Sequence, residues 1–275
     1  MKNFMVANLT KKRYQLDNID LLLKCQIENS LILGWQPEDI VLLTNFDYEY
    51  MDVKAIKIKL NKKCLTGSKM FGMEYLFDHD LVDDVIWAHD LDAWQNVAFE
   101  CPDFLDVGIA CYSTSKYNGG SMFWRSSGED IARHIISEIE GKKENKEEPM
   151  LNKVLHSKEY RDRVTTLNNT FNVGCSGYVK RWERSIKPIH VCHFHPTNRI
   201  AWETHALDRN GLDTKGISDR LEALLRKHYP SLASELGTDG KIAQKMRRET
   251  RINYHGDKLT SQEVILLPRG LLKQP

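Results

Sequence analysis

The stretch 85–94, VIWAHDLDAW, joins an apolar run to two aspartates that stand one residue apart. Its first three residues are β-formers, and such a run is typical of a central parallel strand covered on both faces. The aspartates follow where this strand would end. Open α/β sheets bind ligands at the carboxyl ends of their strands, so Asp90 and Asp92 are candidates for a ligand site. A turn or a helix cap is the alternative role.

Strands and helices alternate on both sides of this stretch. The patterns predict strands at 3–8, 39–45, 53–60, 107–113 and 120–126, and helices at 19–33, 66–81 and 128–141. Gly34 is expected to stop the first helix, and Thr66 or Ser68 to begin the second. The β-α-β-β-α-β order that leads to the aspartates predicts an α/β fold with a doubly wound, mainly parallel sheet flanked by helices.

Composition narrows the class of protein. The 275 residues are 41% hydrophobic and 28% charged with a net charge of +1, as expected of a globular protein, and give no general electrostatic case for nucleic acid. No apolar run approaches the roughly 20 residues that span a bilayer, and no signal-peptide core is recognisable. The cysteines, which lack CxxC spacing, predict reduced and mostly buried thiols in a cytoplasmic protein. They are Cys25, Cys64, Cys101, Cys111, Cys175 and Cys192.

The character of the chain changes after about residue 205. The segment 216–237 has amphipathic helical spacing, and 241–258 is basic. We therefore expect a domain over 1–205 and a helical C-terminal extension over 206–275. The basic side chains of the extension predict a solvated helix face, with a patch for an acidic acceptor or a membrane surface as the alternative. They are Lys245, Arg247, Arg248 and Arg251.

Five short motifs occur in a fixed order along the first domain. They are HDLDAW (89–94), KYNGGSMFW (116–124), EEPMLNKVL (147–155), TLNNTFNVG (166–174) and HVCHFHPTNRIAW (190–202). In this order they resemble the D-x-D, F-N-[SA]-G, D-Q-D-x-L-N, L-P-x-x-[FW]-N and H-Y-x-G-x-x-K-P-W motifs of glycosyltransferase family 8. The resemblance covers about residues 3–203 and implies a GT-A fold and a nucleotide-sugar glycosyltransferase.

The resemblance implies how such an enzyme would bind its donor. Asp90 and Asp92 would hold a divalent metal that bridges the diphosphate, and His193 would be the third protein ligand. Asn118 and Gly119 would lie near the donor sugar. The donor would be a nucleoside-diphosphate hexose, with uridine favoured over guanosine, and the acceptor a hydroxyl group. Mixed oxygen and imidazole ligation favours Mn²⁺, with Mg²⁺ as the alternative metal.

Two departures from the family motifs affect the chemistry. Pro149 stands where the second aspartate of D-Q-D would be, so Glu147 and Glu148 are the acids at this place. In an inverting enzyme one of them would be the general base, whereas in a retaining enzyme they would bind or orient the sugar. A solvated acidic loop is the alternative for both. Arg199 stands in for the late lysine as a phosphate ligand, since both are cations.

Further candidates follow from the expected sheet edge. Lys69 would contact a phosphate or the sugar, with an exposed helix lysine as the alternative. Ala7, Asn8 and Thr10 follow the first strand and would touch the base or the ribose, unless they form an ordinary turn. His195 would reach a phosphate, and it is an alternative to His193 as the metal ligand, as is His190. The tryptophans that would stack on sugars or pack in the core are Trp94, Trp124 and Trp202.

Three rival functions remain open at this point. Cys175, Cys192, His193 and His195 would make a tetrahedral zinc site, although no paired CxxC or HxxxH spacing supports it. A sugar nucleotidyltransferase would share the sheet and the metal. A carbohydrate-binding protein without catalytic activity would share the scaffold. Hydrolysis of a nucleotide sugar would separate the transferase from the last of these.

Overall fold

The computed structural model describes residues 1–9, 16–60, 68–82, 84–113, 115–141, 146–174, 181, 183–193 and 218–228. Its strands are β1 (Lys2–Ala7), β2 (Ile40–Thr44), β3 (Glu49–Tyr50), β4 (Val53–Lys54), β5 (Ile56–Lys57), β6 (Val85–His89), β7 (Ala93–Gln95), β8 (Val107–Ser113), β9 (Lys116–Arg125), β10 (Val164–Leu167), β11 (Val173–Gly174) and β12 (Val191–His193). Its helices are α1 (Leu16–Ile32), α2 (Ser68–Asp78), α3 (Glu129–Glu140), α4 (Glu147–Leu155) and α5 (Asp219–His228).

Seven strands form a central sheet in the order β10-β8-β9-β6-β1-β2-β5. β9 runs antiparallel to its neighbours β8 and β6, and every other pair in this sheet is parallel. Helices cover both faces, because residues of α2, α3 and α4 share one core cluster and residues of α1 share another. The predicted doubly wound, mainly parallel sheet is therefore confirmed.

Alternate residues of the central strands pack against opposite helical layers. Phe4 of β1 and Leu43 of β2 join the cluster of α2, α3 and α4. Their neighbours Met5 and Leu42 pack with Ile19 of α1. Side chains alternate between the faces of a strand, so a strand covered on both sides must be apolar throughout. This explains why these strands read as continuous apolar runs.

A second, three-stranded sheet extends from the end of β6. Its order is β11-β12-β7, with β12 parallel to β11 and antiparallel to β7. The register places His193 opposite Ala93 and Cys192 opposite Trp94. The small sheet therefore brings a late segment of the chain beside the two aspartates.

Two predicted strands differ in detail. The segment 53–60 forms β4 and β5 instead of one strand, because β4 pairs with β3 across the turn at Met51 and Asp52, whereas β5 pairs with β2. Asn118, Gly119 and Gly120 lie inside β9 and do not form a turn between strands. The strand begins at Lys116 and not at Gly120, since its first half pairs with β8.

The described tryptophans belong to the core. Trp94 and Trp124 are both fully buried, so of the two roles considered, stacking on sugars and packing in the core, the core role is the one they have. Trp202 lies outside the described residues. The described cysteines are free thiols, of which Cys25 and Cys192 are buried, Cys111 is half-buried and Cys101 is exposed. Cys64 and Cys175 lie outside the described residues.

The described part of the predicted C-terminal extension is α5, which packs against α1. Lys227 and His228 contact the carboxylate of Glu28 at 2.6 and 2.7 Å. Burial acts to raise the pKa of Glu28, but the hydrogen bonds from Lys227 and His228 outweigh it, and the pKa is lowered. The boundary at 205 and the basic segment lie outside the described residues and stay predictions. None of the helices described is both long and apolar enough to cross a membrane.

Candidate active site

The two aspartates lie in a tight turn between β6 and β7. The backbone NH of Asp90 donates to the Gly120 carbonyl at 2.9 Å, which extends the pairing of β6 with β9 by one residue. The NH of Ala93 then donates to the Asp90 carbonyl at 3.0 Å and closes the turn. The turn stands at the carboxyl end of a central strand, where ligands of α/β sheets bind. Both carboxylates are partly exposed there, at 42% for Asp90 and 32% for Asp92.

His193 meets the aspartates because β12 pairs with β7. Its Nε2 lies 3.3 Å from Asp92 Oδ1 and 3.7 Å from Asp90 Oδ2. In the described part of the chain, these three residues are the one group of three or more His, Cys, Asp or Glu side chains with ligand atoms close enough for one metal, all within 4.8 Å. Burial lowers the pKa of His193, but Asp92 and Asp90 outweigh burial and raise it.

The imidazole of His193 lies directly on Gly120 of β9. A Cβ atom at this glycine would be 2.0 Å from Cε1 and 2.1 Å from Nδ1 of the ring. Such distances are far below van der Waals contact, so any larger residue would displace the ring. The group that approaches the backbone of Gly120 is therefore the imidazole of His193.

Lys69 is buried behind the aspartates. Its Nζ lies 2.6 Å from Asp90 Oδ1 and 3.5 Å from Glu147 Oε1, and it also donates to the carbonyl of Gly119. Burial lowers the pKa of Lys69, but the charges of Asp90 and Glu147 outweigh burial, and the pKa is raised. Helix α2 can carry the lysine this deep because Gly72 packs on β1, where a Cβ would come within 2.7 Å of Val6. The alternative of an exposed helix lysine is wrong.

Glu147 and Glu148 form the first turn of α4. Glu147 is only 6% exposed and pairs with Lys69, so the solvated acidic loop is wrong for this residue. Burial raises the pKa of Glu147, Lys69 lowers it, and the nearby carboxylates of Asp90 and Glu148 raise it again, with an upward shift as the result. Glu148 is half-buried and accepts a hydrogen bond from Asn118 Nδ2 at 3.3 Å.

The loop after β1 lies at the same edge of the sheet. Ala7 is the buried last residue of β1, and Asn8 Nδ2 donates to Ser68 Oγ at 2.8 Å. The backbone of Leu9 exchanges hydrogen bonds of 2.8 and 2.9 Å with the side-chain amide of Asn45. These contacts tie the loop to α2 and to the end of β2. The predicted ligands Thr10, His195 and Arg199 lie outside the described residues.

Buried polar side chains hold the aspartate turn from behind. Gln26 of α1, 1% exposed, donates to the carbonyls of Leu91 and Ala93 at 2.9 and 3.0 Å. His89 contacts the Asp90 carbonyl through Nδ1 at 3.0 Å, and burial lowers the pKa of this histidine to about 4, so its ring is neutral. These residues were not predicted. Within the sequence, Gln26 is one polar residue of a helix and has no local signal that points to the turn.

The rival zinc site is not assembled from the described residues. Cys192 is fully buried, and burial raises the pKa of its thiol well above its usual value. It precedes His193 on β12, so the two side chains point to opposite faces of the strand. Cys175 and His195 lie outside the described residues. His190 stacks on Phe99 with ring centroids 5.6 Å apart and does not belong to the Asp90 group.

Solved glycosyltransferases have a similar structure. The galactosyltransferase LgtC, solved with donor and acceptor sugar analogues, aligns with a TM-score of 0.50 and 14% identity over 90% of this chain and 100% of that chain. GlyE of Streptococcus pneumoniae TIGR4 aligns with a TM-score of 0.49 and 13% identity over 85% of this chain and 61% of that chain. A glycosyltransferase involved in glycosylation of the PBCV-1 major capsid aligns with a TM-score of 0.46 and 12% identity over 70% of this chain and 93% of that chain.

No protein-family model matches the chain, and a search of curated proteins finds no match either. The alignment with LgtC covers the whole of that chain, and it is the one on which the fold assignment rests. The chain therefore has the GT-A fold of the galactosyltransferase LgtC.

Proposed function

We propose that this protein is a metal-dependent glycosyltransferase that moves a hexose from a nucleoside-diphosphate sugar, with a UDP-sugar favoured, to a hydroxyl acceptor. The observation that carries the proposal is the convergence of Asp90, Asp92 and His193 at the carboxyl edge of a GT-A sheet. LgtC, which has this fold, was solved with donor and acceptor sugar analogues. The family resemblance of the motifs supports the same activity.

The three converging side chains fit a divalent metal ion. Two carboxylate oxygens and one imidazole nitrogen are ligands that suit Mn²⁺, with Mg²⁺ as the alternative. A metal held there would neutralise charge on the diphosphate leaving group. The partly exposed carboxylates leave the site open on the side where a diphosphate would bind. Lys69 adds a fixed positive charge next to Asp90.

The remaining predicted residues would bind other parts of the donor. We assign the base and ribose to the loop after β1, and the sugar to the start of β9 and to α4. The residues proposed for the donor are Ala7, Asn8, Thr10, Lys69, Asn118, Gly119, His195 and Arg199. The catalytic domain would be 1–205, with 206–275 as an extension, and the cytoplasmic location stays a prediction.

Glu147 and Glu148 have different surroundings, and we infer different roles. Glu147 is buried against Lys69, so it is placed to hold the lysine and not to deprotonate an acceptor. Glu148 is half-buried and contacts Asn118, which leaves it as the candidate general base if the enzyme inverts. If the enzyme retains configuration, Glu148 would instead orient the donor sugar through Asn118.

The proposal is tested by donor hydrolysis. Purified protein is incubated with a panel of UDP- and GDP-hexoses, with Mn²⁺ or with a chelator, and release of the nucleoside diphosphate is measured. Asp92→Asn should abolish the Mn²⁺-dependent release, because it removes a metal ligand. Asp84→Asn is the matched control, since Asp84 is an exposed aspartate next to the other end of β6 and pairs with Arg125.

Each other outcome contradicts the proposal in a distinct way. Near-normal hydrolysis by Asp92→Asn would remove the metal site. Release of pyrophosphate from a nucleoside triphosphate and a sugar phosphate would make the protein a nucleotidyltransferase. A nucleotide sugar that raises the melting temperature in the presence of Mn²⁺, without any turnover, would indicate a binding protein that has no catalytic activity.

A further inference from the structure

A chain of side-chain hydrogen bonds runs from α4 to His193. Asn118 Nδ2 donates to Glu148 Oε2 at 3.3 Å, and Asn118 Oδ1 accepts from the Gly120 NH at 3.1 Å. Asn172, which follows a short 3₁₀ helix, donates through Nδ2 to Oδ1 and to the carbonyl of Asn118 at 2.8 and 3.1 Å. The two amides therefore lie in contact between the carboxylate and the imidazole.

The side-chain amides of Asn118 and Asn172 each have one possible orientation. A carboxylate accepts and a backbone NH donates, so Asn118 must direct its nitrogen to Glu148 and its oxygen to Gly120. Asn172 faces two oxygens of Asn118 with one end, and that end must be its nitrogen. Its Oδ1 is then directed toward His193. The usual ambiguity between the oxygen and the nitrogen of an amide is thus removed by the neighbours.

The amide oxygens determine which ring nitrogen of His193 carries hydrogen. Nδ1 lies 3.1 Å from Asn118 Oδ1 and 3.1 Å from Asn172 Oδ1. Both oxygens can only accept, so Nδ1 must donate. In the neutral ring the free lone pair is then on Nε2, the nitrogen that faces Asp90 and Asp92. A metal at these residues requires that tautomer.

We infer that Asn172 is a positioning residue that, with Asn118, fixes His193 in the tautomer whose Nε2 binds metal. The role in metal binding rests on the proposed function, whereas the tautomer does not. Asn172 is only 2% exposed, so it acts behind the imidazole and is not placed to touch a donor sugar. Partners that hold the second nitrogen of a ligating histidine set its tautomer and its orientation.

The tautomer is measured directly on the metal-free protein. Long-range ¹H–¹⁵N correlation spectra at alkaline pH, where the ring is neutral, distinguish a protonated Nδ1 from a protonated Nε2. His193 is identified by the signals that vanish in His193→Gln. We expect hydrogen on Nδ1 in the wild-type chain and a mixture of tautomers in Asn172→Leu. Hydrogen on Nε2 in the wild-type chain would overturn the inference whether or not any variant folds.

The effect on the metal is measured by electron paramagnetic resonance titration of Mn²⁺ in the presence of UDP. Asn172→Leu should weaken Mn²⁺ binding by roughly 10–100-fold, the effect of losing a group that orients a ligand. Thr170→Val is the matched control, because Thr170 lies two residues from Asn172 and is equally buried, and its hydroxyl bonds to the backbone of Pro188 and His190 and not to the His193 ring. It should bind Mn²⁺ like the wild type.

Equal affinities of Asn172→Leu and Thr170→Val would refute the positioning role. Failure of the proposed function is a separate result. A chain that binds Mn²⁺, loses affinity with Asn172→Leu and transfers no sugar keeps the positioning role but not the enzyme. A chain that transfers sugar, with an unchanged Mn²⁺ affinity in Asn172→Leu, keeps the enzyme but not the positioning role.

Discussion

Replacing Gly120 by alanine should disable the metal site through one side chain, His193. The added Cβ would lie 2.0 Å from the imidazole, whereas ordinary contact begins near 3.4 Å. The ring must therefore move by about 1.4 Å, the difference between these distances. Metal–ligand distances tolerate only about 0.2 Å, so the displaced Nε2 no longer meets a metal held by Asp90 and Asp92.

The expected loss is at least as large as that of an orienting group. Mn²⁺ binding in the presence of UDP should weaken by roughly 10–100-fold, which is about 1.4–2.8 kcal/mol. Gly174→Ala is the control, because Gly174 pairs with His193 in the small sheet but has room for a Cβ, whose nearest neighbours would be 3.5 Å away. It should leave the affinity unchanged.

A double variant isolates the cause. If Gly120→Ala acts only through the imidazole, then Gly120→Ala combined with His193→Ala should bind Mn²⁺ as weakly as His193→Ala alone. Affinity is measured by the same paramagnetic resonance titration, and folding by thermal unfolding of each variant. Wild-type affinity in Gly120→Ala, or a double variant clearly weaker than His193→Ala, would refute the reasoning.

Three further predictions concern charged groups. Lys69→Met leaves the buried carboxylate of Glu147 unpaired and should lower the free energy of unfolding by about 3–5 kcal/mol at neutral pH. The double variant Lys69→Met/Glu147→Gln should recover part of this loss. Equal urea midpoints for the single and the double variant would contradict the prediction. The pKa of Glu28 in the folded protein is below its ordinary value of 4.5, so its ion pairs stabilise the fold above pH 4.5 and are lost as pH falls through the folded pKa. In urea unfolding, the stability of Glu28→Gln should therefore decline less in acid than that of the wild type. Proton NMR of the product decides the role of Glu148, since retention of the anomeric configuration would eliminate it as a general base.

The sequence predicts those parts of the site that are local. Asp90 and Asp92 follow their own strand directly, so an apolar run and the rule for α/β sheets were enough to place them. The position of His193 depends on β12 pairing with β7, a contact about a hundred residues apart in the chain. The family resemblance supplied it, because no periodicity in the sequence encodes that pairing.

The pattern of charged residues predicts solvent exposure, and this prediction fails where tertiary contacts bury a charge. Glu147 belongs to the charged run 142–148, which is typical of a solvated loop, yet it is buried against Lys69. Neither the burial of Glu147 nor that of Lys69 is visible in the sequence, because each charge is compensated only by a partner from another element. Asn172 was part of a recognised motif, but its role depends on the orientation of two amides, and only three-dimensional contacts reveal it.

The aspartate turn has a consequence for the dynamics of the molecule, since it joins the central sheet to the small one. A ligand held by Asp90, Asp92 and His193 would connect β6 with β12, so local opening of the small sheet would require this added link to break. Amide hydrogen exchange in β7 and β12 should therefore slow when Mn²⁺ and UDP are added. Exchange in β10, at the far edge of the central sheet, should stay the same.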